Sequence, residues 1–338
     1  MELFTRVDTP KAGFEIDYTS RIAFFGSCFA DNISAQFAAR KFSVLANPFG
    51  TVYNPVSIAR QIRAIADGKV FGENDVFKDE RCDGLWHSWD AHSSLSASTR
   101  EECIAKLNAA TAQARDFLRK ADAVFITLGT AFVYYLKDSG MPVSNCHRQD
   151  PNLFTRRMIS VEEAASAICE IVENLRKIKN QTRIASPSAR NDVARFTSDN
   201  TPRIVFTVSP LRHMGDGAHN NTLSKATLQL AINKALEEAN ATYFPSYEIV
   251  MDELRDYRFY ADDMVHLSKT AEEYIFKQMT ETYCDSTTRE NMAKVEKFLK
   301  MANHRIQDES SPATQQLKKK IASQAAELEK QIPGLSLR

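Results

Sequence analysis

Continuous apolar runs of strand length alternate with helix-period stretches through most of this chain. Ile22-Ala23-Phe24-Phe25 is one such run, and residues 123–128 (AVFITL) and 203–208 (RIVFTV) are two more. Segments apolar on both faces suit the buried strands of a parallel sheet. A fourth strand is expected over residues 242–250. Between these runs the apolar positions recur at helical spacing. Phe29, Ile33, Phe37 and Ala38 follow the first run directly. A second helix is expected over about 56–66, opened by Pro55 and ended by Gly68. Thr99 with Glu102 three residues on has the capping-box pattern of a helix running to about Lys120. Further helices are expected near 161–178, 222–240 and 269–283. Strand, helix, strand, helix order predicts an α/β fold with a mainly parallel sheet covered on both faces.

The interruptions are informative too. Two prolines, a glycine and two asparagines make 44–55 a structured loop. Residues 82–98 are irregular and hold both tryptophans, Trp86 and Trp89. Residues 132–136 and 141–143 read as a hairpin across Asp138-Ser139-Gly140, and 180–202 as a polar surface excursion. From Cys284 the apolar signal weakens, with helical stretches at about 290–301 and 317–331 broken by Ser310-Ser311-Pro312. The expected division is therefore a main domain over 1–285 and an appended helical or partly disordered extension over 286–338, the latter a means of oligomerisation.

Composition narrows the function classes. In 338 residues, 43 Lys and Arg balance 43 Asp and Glu, so no net field points to nucleic acid or an anionic membrane. No window is apolar enough to span a bilayer, and Met1 to Arg6 lack a signal-peptide pattern. The expectation is a cytoplasmic protein. Six scattered cysteines (28, 82, 103, 146, 169, 284) form no metal or disulfide motif, which suits reduced, mostly buried thiols. The histidines lack the short pairings of zinc ligands. Neither metal nor other cofactor is expected.

The chemistry concentrates where the first apolar run meets its helix. Gly26 allows a tight turn there, and Ser27 becomes an exposed hydroxyl at a strand end and helix start, where negative charge is favoured. Acyl transfer needs such a nucleophile, a base, a group orienting the base, and donors for the oxyanion. Asp263 and His266, three residues apart in a loop opening a helix, have the spacing for a carboxylate to fold back onto Nδ1–H. Asp262 is the rival in an adjacent register, and Cys28 the rival nucleophile, expected buried beneath the helix. The backbone N–H of Ser27 is one oxyanion donor.

Gly26-Ser27-Cys28-Phe29-Ala30 also resembles the signature of the GSCFA family, whose blocks are similar to those of SGNH/GDSL hydrolases. The resemblance spans roughly residues 20–285. It implies a flavodoxin-like three-layer α/β/α sandwich and a Ser27–His266–Asp263 triad, the last two matching the late D-x-x-H. It implies a second oxyanion donor at Gly50. The third block falls at Leu128-Gly129-Thr130-Ala131 without its Asn, which leaves Thr130, Asn54 or Asn145 as replacements. The stretches 86–92 and 209–213 resemble further recurring GSCFA segments. With Asn145-Cys146-His147-Arg148 they nominate His92, His147, Arg148, Arg212 and His213 for substrate contact, the arginines holding a carboxylate or sugar hydroxyls. Trp86 and Trp89 are either stacking platforms or core. The implied activity is a serine esterase or acyltransferase on a small-molecule or glycan ester, such as O-acetyl carbohydrate, through an acyl-enzyme. The rival is a non-catalytic module binding glycan or protein on the same fold.

Overall fold

The computed structural model describes residues 5–9, 11–185, 202–303 and 312–337. In chain order the elements are β1 (Arg21–Gly26), α1 (Cys28–Ala39), β2 (Ser43–Ala46), α2 (Pro55–Asp67), β3 (Phe77–Lys78), β4 (Trp86–His87) and α3 (Arg100–Leu118). Then come β5 (Ala123–Leu128), β6 (Phe132–Leu136), β7 (Pro142–Val143), β8 (Phe154–Met158), α4 (Val161–Ala185), β9 (Arg203–Val208) and α5 (Ala218–Leu236). The rest are β10 (Thr242–Tyr243), α6 (Ser246–Glu248), α7 (Lys269–Tyr283), α8 (Ser286–Ala302) and α9 (Pro312–Gln331).

The central sheet has five parallel strands in the order β10-β9-β5-β1-β2. Side chains alternate across it because successive Cβ atoms point to opposite faces. Ala23, Phe25, Val124, Ile126 and Phe206 pack on one side with Ile62 of α2, Leu107 of α3, Ile171 of α4 and Leu228 of α5. Ile22, Phe24, Phe125 and Val205 pack on the other with Phe37 of α1, Ile275 of α7 and Val295 of α8. Phe24 and Phe125 are register partners, and their rings stack with centroids 5.1 Å apart. The result is the expected three-layer α/β/α sandwich. Counting sheet strands along the chain, the order is 2-1-3-4-5. Such sheets bind ligands at the carboxyl ends of the first and third strands, where the order reverses. Here those strands are β1 and β5, whose last residues include Gly26 and Leu128.

Four segments differ from expectation. Residues 43–46 of the predicted loop form β2, an edge strand paired with β1. Over 242–250 only Thr242 and Tyr243 pair with β9. Pro245 cannot donate to the ladder, and buried Ser246 hydrogen-bonds Val208 O at 2.9 Å, turning the chain into helical structure. The hairpin gains a third strand, β8, along β6. The excursion at 180–202 begins later than expected, since α4 continues to Ala185; residues 186–201 lie outside the described ones, as do Ser310 and Ser311.

The C-terminal helices are no detached arm. Met292 and Val295 of α8, with Ile332 and Leu335 beyond α9, are buried in the same core as Phe29 and Phe37. Arg40, which caps the end of α1, pairs with Glu296 of α8 at 2.5 Å. Among the described residues, no helix is long and apolar enough to cross a membrane.

Candidate active site

Gly26 ends β1 at φ +134°, and a Cβ there would lie 2.1 Å from Thr127 O on β5. Only glycine lets the two strand ends approach this closely. A polar clamp holds the turn. Asn47 Oδ1 accepts from Gly26 N–H at 2.8 Å, Asn47 Nδ2 donates to Asp31 Oδ1 at 2.7 Å, and Thr51 Oγ1 donates to Asp31 Oδ2 at 2.8 Å. Ser27 follows as the N-cap residue of α1, yet its side chain makes no capping bond. It is only 2% exposed, and its Oγ has no hydrogen-bond partner among the described residues. A buried hydroxyl left free at a helix start is rare and calls for a functional explanation.

The partner pair stands across the cleft. Asp263 Oδ1 accepts from the backbone N–H of both Val265 and His266, each at 2.9 Å. Its Oδ2 lies 2.6 Å from His266 Nδ1. The His266 imidazole, then these N–H groups, hold the Asp263 carboxyl down at about 2. It is therefore ionised across the physiological range and keeps the proton of neutral His266 on Nδ1. Met264, at φ +56°, makes the tight turn that folds the carboxylate back. The carboxylate that hydrogen-bonds the ring is that of Asp263; among the described residues no hydrogen bond or ion pair joins Asp262 to it. Ser27 and His266 both line one cleft of about 480 Å³. No hydrogen bond joins Ser27 Oγ to the imidazole.

Of the expected oxyanion donors, Asn54 is placed best. Its Oδ1 caps α2 by accepting from Ser57 N–H at 2.8 Å, which turns Nδ2 away from the helix. Asn54 lines the cleft. Ser27 N–H reaches Thr127 O only at 3.4 Å, a weak tie. Gly50 is not brought to the cleft: its N–H donates to Asn47 O at 2.7 Å, and a Cβ would meet His92 at 2.3 Å. Thr130 lines the cleft with its N–H committed to Tyr53 O, and its hydroxyl shares a 3.1 Å hydrogen bond with Ser224 Oγ. Asn145 lines it too, its Oδ1 taken by His147 N–H.

The profile of the GSCFA family matches residues 21–186 and 188–279. The chain belongs to the GSCFA family. No curated protein matches it.

In this GSCFA protein the expected substrate-contact residues divide. Arg212 and His213 line the cleft. His213 Nδ1 is held 2.8 Å from Asp216 Oδ2, and Asp216 also binds Arg156 at 2.6 Å. His92, His147 and Arg148 are not among the cleft residues. His92 packs on Gly50 and caps the 93–95 turn. His147 is buried, with Nε2 on Ser88 O at 2.8 Å, and burial pushes it down to about 4. Trp89 stacks on Phe77 with centroids 3.8 Å apart, and Trp86 packs against the core under Arg100. The tryptophans are structural.

Four features of the GSCFA site were not expected. Cys28 is half-buried: it packs against the core beneath α1 and also lines the cleft beside Ser27. Burial raises its thiol pKa, which keeps it a poor nucleophile. Tyr53, Phe132, Tyr134 and Arg156 supply an aromatic and cationic rim. Fully buried Lys225 donates 2.7 Å bonds to both Gly129 O and Ser209 O, tying the ends of β5 and β9 together. Burial pushes it down to about 7. A second cavity of about 520 Å³, with Tyr247, Tyr257 and Tyr260, shares Leu211 and Arg212 with the first. None of these four carries a local sequence signal, since each arises where distant segments meet.

Proposed function

We propose that this GSCFA protein is a serine esterase or O-acyltransferase of SGNH/GDSL-like mechanism. One observation carries the reading: a buried, unpartnered Ser27 hydroxyl at the strand switch point shares its cleft with a His266 imidazole oriented by Asp263. In the reaction, His266 Nε2 takes the Ser27 proton as Oγ attacks an ester carbonyl. Charge develops on the carbonyl oxygen and is stabilised by Asn54 Nδ2 and Ser27 N–H. The imidazolium, held by Asp263, then protonates the departing alkoxide, leaving an acyl-Ser27 ester. Water or an acceptor hydroxyl, deprotonated by the same imidazole, releases the acyl group. Catalytic hydrogen bonds are often long before substrate binds, so an open Ser27–His266 contact suits this scheme. The aromatic rim with Arg156 and Arg212 favours a hydroxylated or anionic substrate body over a plain lipid. O-acetyl carbohydrate is the substrate class we favour, by analogy with SGNH enzymes.

The open Ser27–His266 contact equally favours the second reading, a glycan- or protein-binding module without catalysis. Chromogenic acetyl and butyryl esters separate the two. The esterase reading expects turnover by wild type and Cys28→Ala that Ser27→Ala loses. Equal background rates from wild type and Ser27→Ala would support the binding module.

A further inference from the structure

A second constellation lies away from the cleft, in the turn joining β3 to β4. Asp79, Asp83 and His87 each place one ligand atom within 4.8 Å of the other two. Asp79 is fully buried, at 0% exposure. Its Oδ1 accepts from the backbone N–H of Arg81 at 2.8 Å and Cys82 at 3.1 Å, whereas Oδ2 is buried without a hydrogen-bond partner. Gln149 Nε2 is itself buried without closing a hydrogen bond. Asp79 is a buried carboxyl, and no ion pair among the described residues includes it. The neighbouring Arg81 turns instead to Asp150 at 3.0 Å. A buried charge without a counter-charge is strongly unfavourable.

His87 supplies the second half of the argument. It is buried, with Nδ1 2.6 Å from Ser96 Oγ and Nε2 3.1 Å from Asp83 Oδ1. In the tautomer that donates from Nδ1–H to the serine, the Nε2 lone pair faces Asp83, the outer hydrogen bond by which ligating histidines are commonly oriented. A separation near 3 Å matches neighbouring ligands on an ion with bonds of about 2.1 Å.

We propose that Asp79, Asp83 and His87 bind a first-row divalent cation of the Zn²⁺ or Mn²⁺ class, with water completing its coordination. Two carboxylates and an imidazole suit such an ion, and it would neutralise the buried Asp79. The ion has a structural place. His147 stacks on His87 with ring centroids 4.4 Å apart, and the chain just before it, Ser144 to Cys146, lines the cleft. His147 and Arg148 hold positive φ angles of 49° and 56°, so this cleft wall turns through a strained step directly over the site. A bound ion therefore anchors the hairpin turn against the wall of the cleft, whatever reaction occurs there.

The test uses the full chain, stripped with chelator and desalted, then titrated calorimetrically with ZnCl₂, MnCl₂ and CaCl₂, with thermal melts alongside. Wild type is expected to bind one Zn²⁺ or Mn²⁺ and to melt higher when loaded. Asp83→Asn keeps the Oδ1 acceptor for Leu85 N–H, a 2.9 Å bond at an exposed position, so its metal-free melt should match wild type. Its affinity for Zn²⁺ should fall at least tenfold, and His87→Gln should lose binding. No saturable binding by wild type would overturn the proposal, leaving His87 as a hydrogen-bond partner of Asp83 alone. Unchanged affinity in Asp83→Asn would overturn it too, as would a preference for Ca²⁺ over Zn²⁺, which would leave the imidazole without a role.

Discussion

One carboxylate fixes both the ring and the backbone of His266: Asp263 Oδ2 meets Nδ1 at 2.6 Å while Oδ1 accepts the residue's own N–H at 2.9 Å. This double grip defines the tautomer and the aim of Nε2 together. Asp263→Asn keeps the size and, through its carbonyl oxygen, one acceptor, but no longer stabilises an imidazolium. Ester turnover should fall roughly 10²–10⁴-fold with KM nearly unchanged. Steady-state kinetics check this, and a variant as active as wild type would remove Asp263 from the mechanism.

Asn54 has two duties that two substitutions separate. Asn54→Asp retains an N-cap acceptor for Ser57 and removes the Nδ2 donor, so stability should hold while kcat falls about 10²–10³-fold. Asn54→Ala loses the cap as well and should cost about 1 kcal/mol of stability. Urea unfolding and kinetics on both variants give the comparison. Equal kcat in Asn54→Asp and wild type would move the oxyanion donor elsewhere, with Asn145 next.

Gly26→Ala forces a Cβ against Thr127 O at a positive φ. Strain and overpacking together should destabilise the fold by on the order of 3 kcal/mol. A shift of that size in the urea midpoint is expected, and a neutral effect would contradict the close approach of β1 and β5.

Lys225 gives the pH prediction. Its folded pKa of about 7 lies below the roughly 10.4 of an unfolded lysine. Between these values the unfolded chain binds a proton that the folded chain does not, so this contribution to stability rises with pH across that window. A neutral amine still has two N–H donors for Gly129 O and Ser209 O. The stability advantage of wild type over Lys225→Met should therefore grow from pH 7 to pH 10. Denaturation at three pH values reads the difference directly, and a constant gap would place the titration outside this range.

The parallel sheet was legible because its central strands are apolar on both faces, and the 269–283 helix because Ser268 and its periodicity bound it cleanly. The short edge strands were not: Ser43–Ala46 carries polar ends, and the β10 ladder stops at a Pro245 whose effect depends on where Ser246 docks. Ser27, Asp263 and His266 stood out by local spacing together with the resemblance to the GSCFA and SGNH/GDSL blocks. The failures had both local and long-range causes. Gly50 fits a motif, yet its N–H is spent on Asn47 within its own turn. His147 and Arg148 follow a strand end, but the chain reverses through two positive-φ residues and buries His147 away from the cleft. Lys225 sits mid-helix with no local mark, and its role appears only when the ends of β5 and β9 are brought together.

The central claim is that Ser27 is an activated nucleophile served by His266. Intact-mass analysis after incubation with a fluorophosphonate tests it most directly, on wild type, Ser27→Ala, Cys28→Ala and His266→Ala. A single adduct on wild type and Cys28→Ala that is absent from Ser27→Ala and His266→Ala is the predicted result. No adduct on folded wild type, or an adduct that survives Ser27→Ala, would contradict it.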